Sequence, residues 1–231
     1  MSKKKIKAII LASGKGSRFN NGTPKQFLEI NRCPVIIHSI RPFNECNQID
    51  EIVVVSIIEY IDKTWKLIDK YRITKVNKIV TGGKVRQESS RIGLECCGED
   101  TKYVLIHDAV RPFITMNLLD RILKGVKKHN AVVPVIPSSD TVVEIDDKGL
   151  IKGIPNRSNI MRIQTPQAFK YELIKEAHEK ALKDGAINSP DDSSLLLTIG
   201  IPVFTIRGEE RNMKITFPLD LQIAEELIEL L

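Results

Sequence analysis

Residues 6–26 read Ile-Lys-Ala-Ile-Ile-Leu-Ala-Ser-Gly-Lys-Gly-Ser-Arg-Phe-Asn-Asn-Gly-Thr-Pro-Lys-Gln. The stretch begins as a buried strand. Ile9, Ile10 and Leu11 form an unbroken apolar run, the pattern expected where both faces of a parallel sheet are covered. The run stops at Ala12, Ser13, Gly14, Lys15, Gly16, Ser17 and Arg18. Small residues there let the backbone approach a ligand closely and turn its N–H groups toward anionic oxygens. Arg18 and Lys25 put positive charge at both ends of the loop. A strand opening into a basic, glycine-rich loop predicts a phosphate site at the carboxyl end of a sheet; an ordinary basic strand-to-helix turn is the alternative. Two familiar phosphate loops are excluded. The dinucleotide fingerprint needs a third glycine where Phe19 stands, and no Gly-Lys-Ser/Thr follows at Walker spacing.

Outward from this loop the chain alternates. Buried strands are expected at 51–56, 78–80, 103–106, 131–136 and 203–206, and helices at 34–40, 60–71, 115–128, 171–183 and 219–231. A short helix should open after Ser189-Pro190-Asp191, with serine or aspartate as its cap. The alternation predicts a three-layer α/β sandwich with a mostly parallel, Rossmann-like sheet in one domain spanning 1–231. Two further strand ends carry polar groups. Gly82 and Gly83 precede Arg86 and Ser89, so backbone could reach a flat ligand and Ser89 could add a hydroxyl; a plain helix entry is the alternative. The strand at 103–106 runs into His107, Asp108 and Arg111. Asp108 there could hold Mg²⁺ beside phosphates, or cap the next turn and pair with Arg111. His38 and His107 read as packing residues. Residues 138–162 break the rhythm. They alternate apolar and polar, turn at Asp146-Asp147-Lys148-Gly149, and read as a protruding β-hairpin arm. Its Val142, Ile145, Leu150 and Ile154 need cover that one hairpin cannot supply, which a twofold partner would give.

Composition narrows the class. A chain of 231 residues that is 42% hydrophobic has ample core. No apolar run reaches the ~18 residues of a membrane span, and the basic start lacks a cleavage site, so a cytoplasmic, membrane-free protein is expected. Cys33, Cys46, Cys96 and Cys97 have no zinc spacing and read as free thiols. The formal net charge is +6, yet only 5% of residues are aromatic and the only dense basic block is N-terminal. A basic pocket for small phosphorylated molecules explains the charge without nucleic acid.

The loop Ala-Ser-Gly-x-Gly-x-Arg with Pro24-Lys25-Gln26, the Gly82-Gly83-x-x-Arg86-x-x-Ser89 turn, His107-Asp108-Ala109-x-Arg111-Pro112, and Gln164-Thr165-Pro166-Gln167-x-Phe169 together resemble the methylerythritol-phosphate cytidylyltransferase family and its relative, ribitol-5-phosphate cytidylyltransferase. The resemblance covers essentially the whole chain and implies the nucleotide-diphospho-sugar transferase type of fold. It implies transfer of CMP from CTP to a polyol phosphate, with Mg²⁺ or another divalent cation and release of pyrophosphate. By resemblance, Arg18 and Lys25 are catalytic. Ala12, Ser13, Gly14, Gly16, Gly82, Gly83, Arg86, Ser89, Asp108 and Arg111 bind the nucleotide, and Asp108 also holds the metal. Lys214 positions the phosphates, and Asp140, Thr141 and Arg157 grip the polyol phosphate across a homodimer. One segment departs. The family's Thr-Asp-Asp/Glu-Ala-Ser is Pro190-Asp191-Asp192-Ser193-Ser194 here, and Leu197 stands at a glutamate position. Features of both families occur, so methylerythritol phosphate is the favoured substrate and ribitol phosphate the alternative. A non-catalytic nucleotide-binding protein on the same fold is a third reading.

Overall fold

A computed structural model describes residues 4–14, 16 and 22–229. Strand β1 (Lys5–Ala12) lies between β4 (Glu51–Ser56) and β6 (Thr101–Asp108), parallel to both, and β5 (Val76–Thr81) extends the sheet beyond β4. Between β1 and β4 a small hairpin, β2 (Glu29–Ile30) with β3 (Cys33–Pro34), leads into helix α1 (Val35–Glu45). Helices α2 (Ile61–Lys70) and α3 (Arg86–Cys97) flank β5 in sequence.

The order β6-β1-β4-β5 makes β1 the place where the chain's direction of winding reverses. Ligands bind such sheets there, outside the carboxyl ends of the strands.

Helix α4 (Met116–His129) follows β6, capped by the Thr115 hydroxyl, which accepts from Leu118 N–H at 3.0 Å. Strand β7 (Ala131–Pro137) then completes the parallel frame, and the chain leaves it for the arm.

Only Glu144–Ile145 (β8) and Ile151–Gly153 (β9) pair there, so the hairpin is shorter than its alternating pattern. The turn lies where expected: Asp146 Oδ1 accepts from the N–H groups of Lys148 and Leu150, and Gly149 takes φ +83°. The chain returns through β10 (Met161–Ile163) and β11 (Gln167–Lys170), with a cis Thr165–Pro166 bond between them. Both run antiparallel along β7. Val132 pairs with Ala168 and Phe204, and Val135 with Ile163 and Arg207. Strand β12 (Phe204–Arg207) therefore lies parallel on the opposite edge of β7. Helices α5 (Tyr171–Lys183) and α6 (Asp192–Thr198) precede it, and α7 (Pro218–Glu229) ends the described chain.

Alternation along the strands builds the three layers. Ala8 and Ile10 of β1, Ile52 and Val54 of β4 and Leu105 of β6 pack beneath α1, α2 and α4. Their neighbours Ile9, Val53, Val55 and Ile106 face α3, α5 and α6. Ile9, Ile10, Ile52 and Leu105 are fully buried. A central strand buried on both faces in this way holds its carboxyl end rigidly, and Ala12 and Asp108 stand at two such ends. Among the described residues no helix is long and apolar enough to cross a membrane.

Candidate active site

The carboxyl ends of β1, β5 and β6 open into a cavity of about 820 Å³. Its floor is the first loop. Gln26 is buried and donates from Nε2 to the carbonyls of Ala12 (2.6 Å) and Gly14 (3.1 Å), so the 24–26 segment folds back onto the strand end. Lys25 lies in the same wall, with Nζ 3.0 Å from the Ile215 carbonyl. Gly16, at φ +67°, lies against the Lys25 stem, where a side chain's Cβ would come within 3.2 Å of it. The predicted Arg18, with Lys15 and Ser17, falls outside the described residues.

The second wall is the turn after β5 and the start of α3. A Cβ on Gly82 would come within 2.2 Å of Ser13 Cβ, so the two loops touch only because position 82 has no side chain. Ser89 joins them. Its hydroxyl accepts from Ser13 Oγ (2.8 Å) and from Gly83 N–H (3.1 Å), and donates to the Val85 carbonyl (3.1 Å). The side chain read as a ligand contact is thus engaged in holding the cavity's two glycine loops in register. Gly14 and Gly83 line the space directly, whereas Gly82 lies behind it.

Asp108 closes the third side. Its Oδ1 accepts from Arg86 Nε at 3.2 Å and its Oδ2 from Lys214 Nζ at 2.8 Å. Arg111, the partner considered from sequence, instead donates to the Asn212 carbonyl at 2.9 Å and does not line the cavity. Burial alone would favour the neutral acid. The charges of Arg86, Lys214 and Arg111 outweigh it and hold the carboxyl far below the usual carboxylate range. Burial likewise opposes the Arg86 charge, and the Asp192 and Asp108 carboxylates more than restore it. Behind Asp108, its N–H donates to Thr165 Oγ1 (3.1 Å), which lies 3.0 Å from His107 Nδ1, while His107 Nε2 lies 3.1 Å from the Arg111 carbonyl. This chain assigns one tautomer: Thr165 donates to Nδ1 and the ring's Nε2–H donates to the carbonyl. Burial brings His107 down to about 4, so the ring is neutral and structural.

Lys25, Lys84, Arg86 and Lys214 thus line one space, with Asp108 the only acid in its wall among the described residues. Such a cavity suits a polyanion. The arm residues do not join it. Asp140, Thr141 and Arg157 are exposed, and Arg157 Nε donates to the Ser138 carbonyl at 3.1 Å.

Three residues that build the site carry no chemical signature in the sequence. Gln26 stands there only as a member of the Pro24-Lys25-Gln26 motif. Gln87 clamps the 186–189 segment, donating to the Ala186 carbonyl (2.6 Å) and accepting from Ser189 N–H (2.8 Å). Asp192 binds Arg86 Nη1 at 2.7 Å. The available signal was Asp191-Asp192 at a helix start: Asp191 is the cap, accepting from Ser194 N–H, which leaves the second carboxylate for another purpose.

The family model for 2-C-methyl-D-erythritol 4-phosphate cytidylyltransferase matches residues 6–230. A protein of that name from Clostridium botulinum (strain 657 / Type Ba4) is 40% identical over 229 residues, covering 99% of each chain. One from Syntrophus aciditrophicus is 38% identical, over 98% of this chain and 97% of its own. Among solved structures, 4-diphosphocytidyl-2C-methyl-D-erythritol synthase from Anaerococcus prevotii superposes with a TM-score of 0.87 at 31% identity, covering 99% of this chain and 100% of that one. 2-C-methyl-D-erythritol 4-phosphate cytidylyltransferase from Thermus thermophilus gives 0.78 at 28% identity, over 96% and 98%.

Proposed function

The chain belongs to the 2-C-methyl-D-erythritol 4-phosphate cytidylyltransferase family, and from that premise we infer how its cavity performs the transfer. It moves CMP from CTP to 2-C-methyl-D-erythritol 4-phosphate and releases pyrophosphate, in isoprenoid precursor biosynthesis. The observation that carries the mechanism is that Lys25, Arg86 and Lys214 line one cavity with Asp108. Arg86 and Lys214 contact its carboxylate, which is the only acid in that wall among the described residues.

A phosphate oxygen of the polyol phosphate attacks the α-phosphorus of CTP as the bond to pyrophosphate breaks. The substrate brings its own nucleophile, so the protein's work is positioning and charge stabilisation. Lys25 and Arg18 stabilise the charge that gathers on the transferred phosphorus and the leaving group. Ser13, Gly14 and Gly16 offer backbone to the triphosphate, and the Gly83 turn with Arg86 and Ser89 forms the cytosine end. Lys214 steers the phosphates. Mg²⁺ accepts one carboxylate together with phosphate oxygens and water. Asp108 offers that carboxylate among cations that would also face the triphosphate, a donor set that fits a divalent cation arriving with CTP. When bound, the cation would neutralise phosphate charge.

The arm, residues 138–162, serves a homodimer in this reading. Ile145, Leu150 and Ile154 are each more than 60% exposed in the single chain, and Arg157, Asp140 and Thr141 lie off their own cavity. A twofold partner would cover the first group and give the second a polyol phosphate to hold. Free thiols suit a cytoplasmic setting.

The test is pyrophosphate release from CTP with 2-C-methyl-D-erythritol 4-phosphate and D-ribitol 5-phosphate in parallel. Turnover with the first should dominate. Turnover with ribitol phosphate alone would move the chain to the sister activity, and CTP binding without turnover on either would favour a non-catalytic role.

A further inference from the structure

Arg86 is shared by two buried carboxylates. Its Nε meets Asp108 at 3.2 Å and its Nη1 meets Asp192 at 2.7 Å. The two acids differ in what else they do. Asp108 lies in the cavity wall, 2.8 Å from Lys214, where an incoming ligand competes for its oxygens. Asp192 is outside the cavity's lining and 1% exposed. Its second oxygen is taken by the Ser90 hydroxyl and by His178 Nε2 at 3.1 Å. Three donors from α3 and α5 therefore fix it in place. Burial alone would favour its neutral form, and Arg86 with the His178 and Ser90 donors holds it ionised well below the usual range.

Arg86 is only partly shielded, with its side chain 26% exposed in the cavity wall. A guanidinium with a single close counter-ion still follows that counter-ion, because parting from it gives up a charge-assisted hydrogen bond in a partly dewatered site. With Asp108 alone, Arg86 would hold the carboxylate the ligand needs, or follow it out of position. With Asp192 behind it, Arg86 stays in the wall while Asp108 turns to the ligand.

We propose that Asp192 is a positioning residue: the fixed counter-ion that keeps Arg86 in the nucleotide cavity and so frees Asp108 for the incoming CTP and its cation. The inference rests on the assignment of this cavity to CTP.

Asp192→Asn keeps the shape and removes the charge. CTP affinity, measured by titration calorimetry with Mg²⁺ present, should weaken about tenfold or more, the scale of one charge-assisted hydrogen bond. The effect should run through Arg86. In an Arg86→Gln background, adding Asp192→Asn should change CTP affinity less than twofold, because the charge it serves is gone. Ser90→Ala and His178→Gln, which loosen Asp192 but keep its charge, should give smaller losses that likewise vanish in the Arg86→Gln background. They carry the test if Asp192→Asn does not fold. Wild-type CTP affinity in folded Asp192→Asn, or losses that simply add to that of Arg86→Gln, would overturn the proposal. If the wild-type chain itself fails to bind CTP, the cavity assignment falls instead.

Discussion

Replacing Asp108 by Asn separates its electrostatic role from its shape. The carboxylate is 7% exposed and neutralises Arg86 at 3.2 Å and Lys214 at 2.8 Å. Orphaning a buried charge costs about 3–5 kcal/mol, but Arg86 keeps Asp192 at 2.7 Å and Lys214 is 42% exposed. The loss should therefore be nearer that of one charge-assisted hydrogen bond, about 2 kcal/mol, since the half-exposed lysine adds little. For a chain of this size that is a fall in Tm of roughly 4–8 °C. Activity should suffer more than stability. The variant removes the only acid among the described residues lining the cavity, so turnover should fall ~10²-fold or more and the Mg²⁺ concentration for half-maximal rate should rise. Thermal melts and a Mg²⁺ titration of pyrophosphate release read the two effects on the same preparation. A folded variant with wild-type turnover and wild-type Mg²⁺ dependence would refute the role of Asp108.

Lys25→Ala and Arg18→Ala should each lower kcat by ~10²-fold or more with a smaller change in CTP affinity; steady-state kinetics decide, and a fully active Lys25→Ala enzyme would remove the transition-state role. The buried His107 should make the fold acid-sensitive in a defined window. Unfolded, the ring takes a proton near pH 6.5, but folded only near about 4. The unfolded chain therefore binds the proton first as pH falls, and stability present above that window is lost toward its lower end, on the order of 3 kcal/mol. His38, also lowered by burial, adds with the same sign. Urea unfolding at pH 7 and pH 4.5 measures the loss, and equal midpoints would show that His107 is protonated without cost. Finally, an Arg157→Ala subunit mixed with a Lys25→Ala subunit should recover activity if arms cross over, because one site in each mixed dimer is then intact; verified mixed dimers without recovery would assign each arm to its own site.

Local signals carried the strands well. Ile9–Leu11, Ile52–Val55 and Val104–Ile106 are continuous apolar runs because both sheet faces are covered, and that pattern needs no tertiary knowledge. The hairpin of β2 and β3 and the antiparallel strands β10 and β11 lacked such a signal. They are two to four residues long and exist because neighbouring strands accept their backbone bonds. The arm shows the same dependence from the other side: its alternation from Val142 to Ile154 is real, but with nothing packed on it only the residues next to the turn pair.

The candidate site divides along the same line. Lys25 and Asp108 were legible because charged residues beside a glycine loop and at a strand end have few structural uses, whereas only the family resemblance singles out Arg86 and Lys214. What each one touches was not legible. Asp192 lies 106 residues from Arg86, and its partners Ser90 and His178 are on two different helices. Ser89 lines the cavity, and its hydroxyl also has its donor and two acceptor positions engaged within the protein, a structural task that no local pattern announces. The first turn of α3 is consequently a hub. Arg86 reaches Asp108 and Asp192, Gln87 holds the 186–189 segment, Ser89 ties the β1 loop, and Ser90 fixes Asp192. Any shift of that turn moves cation, loop and carboxylate together, so the preorganisation on which phosphoryl transfer depends resides in one helical turn as much as in the phosphate loop.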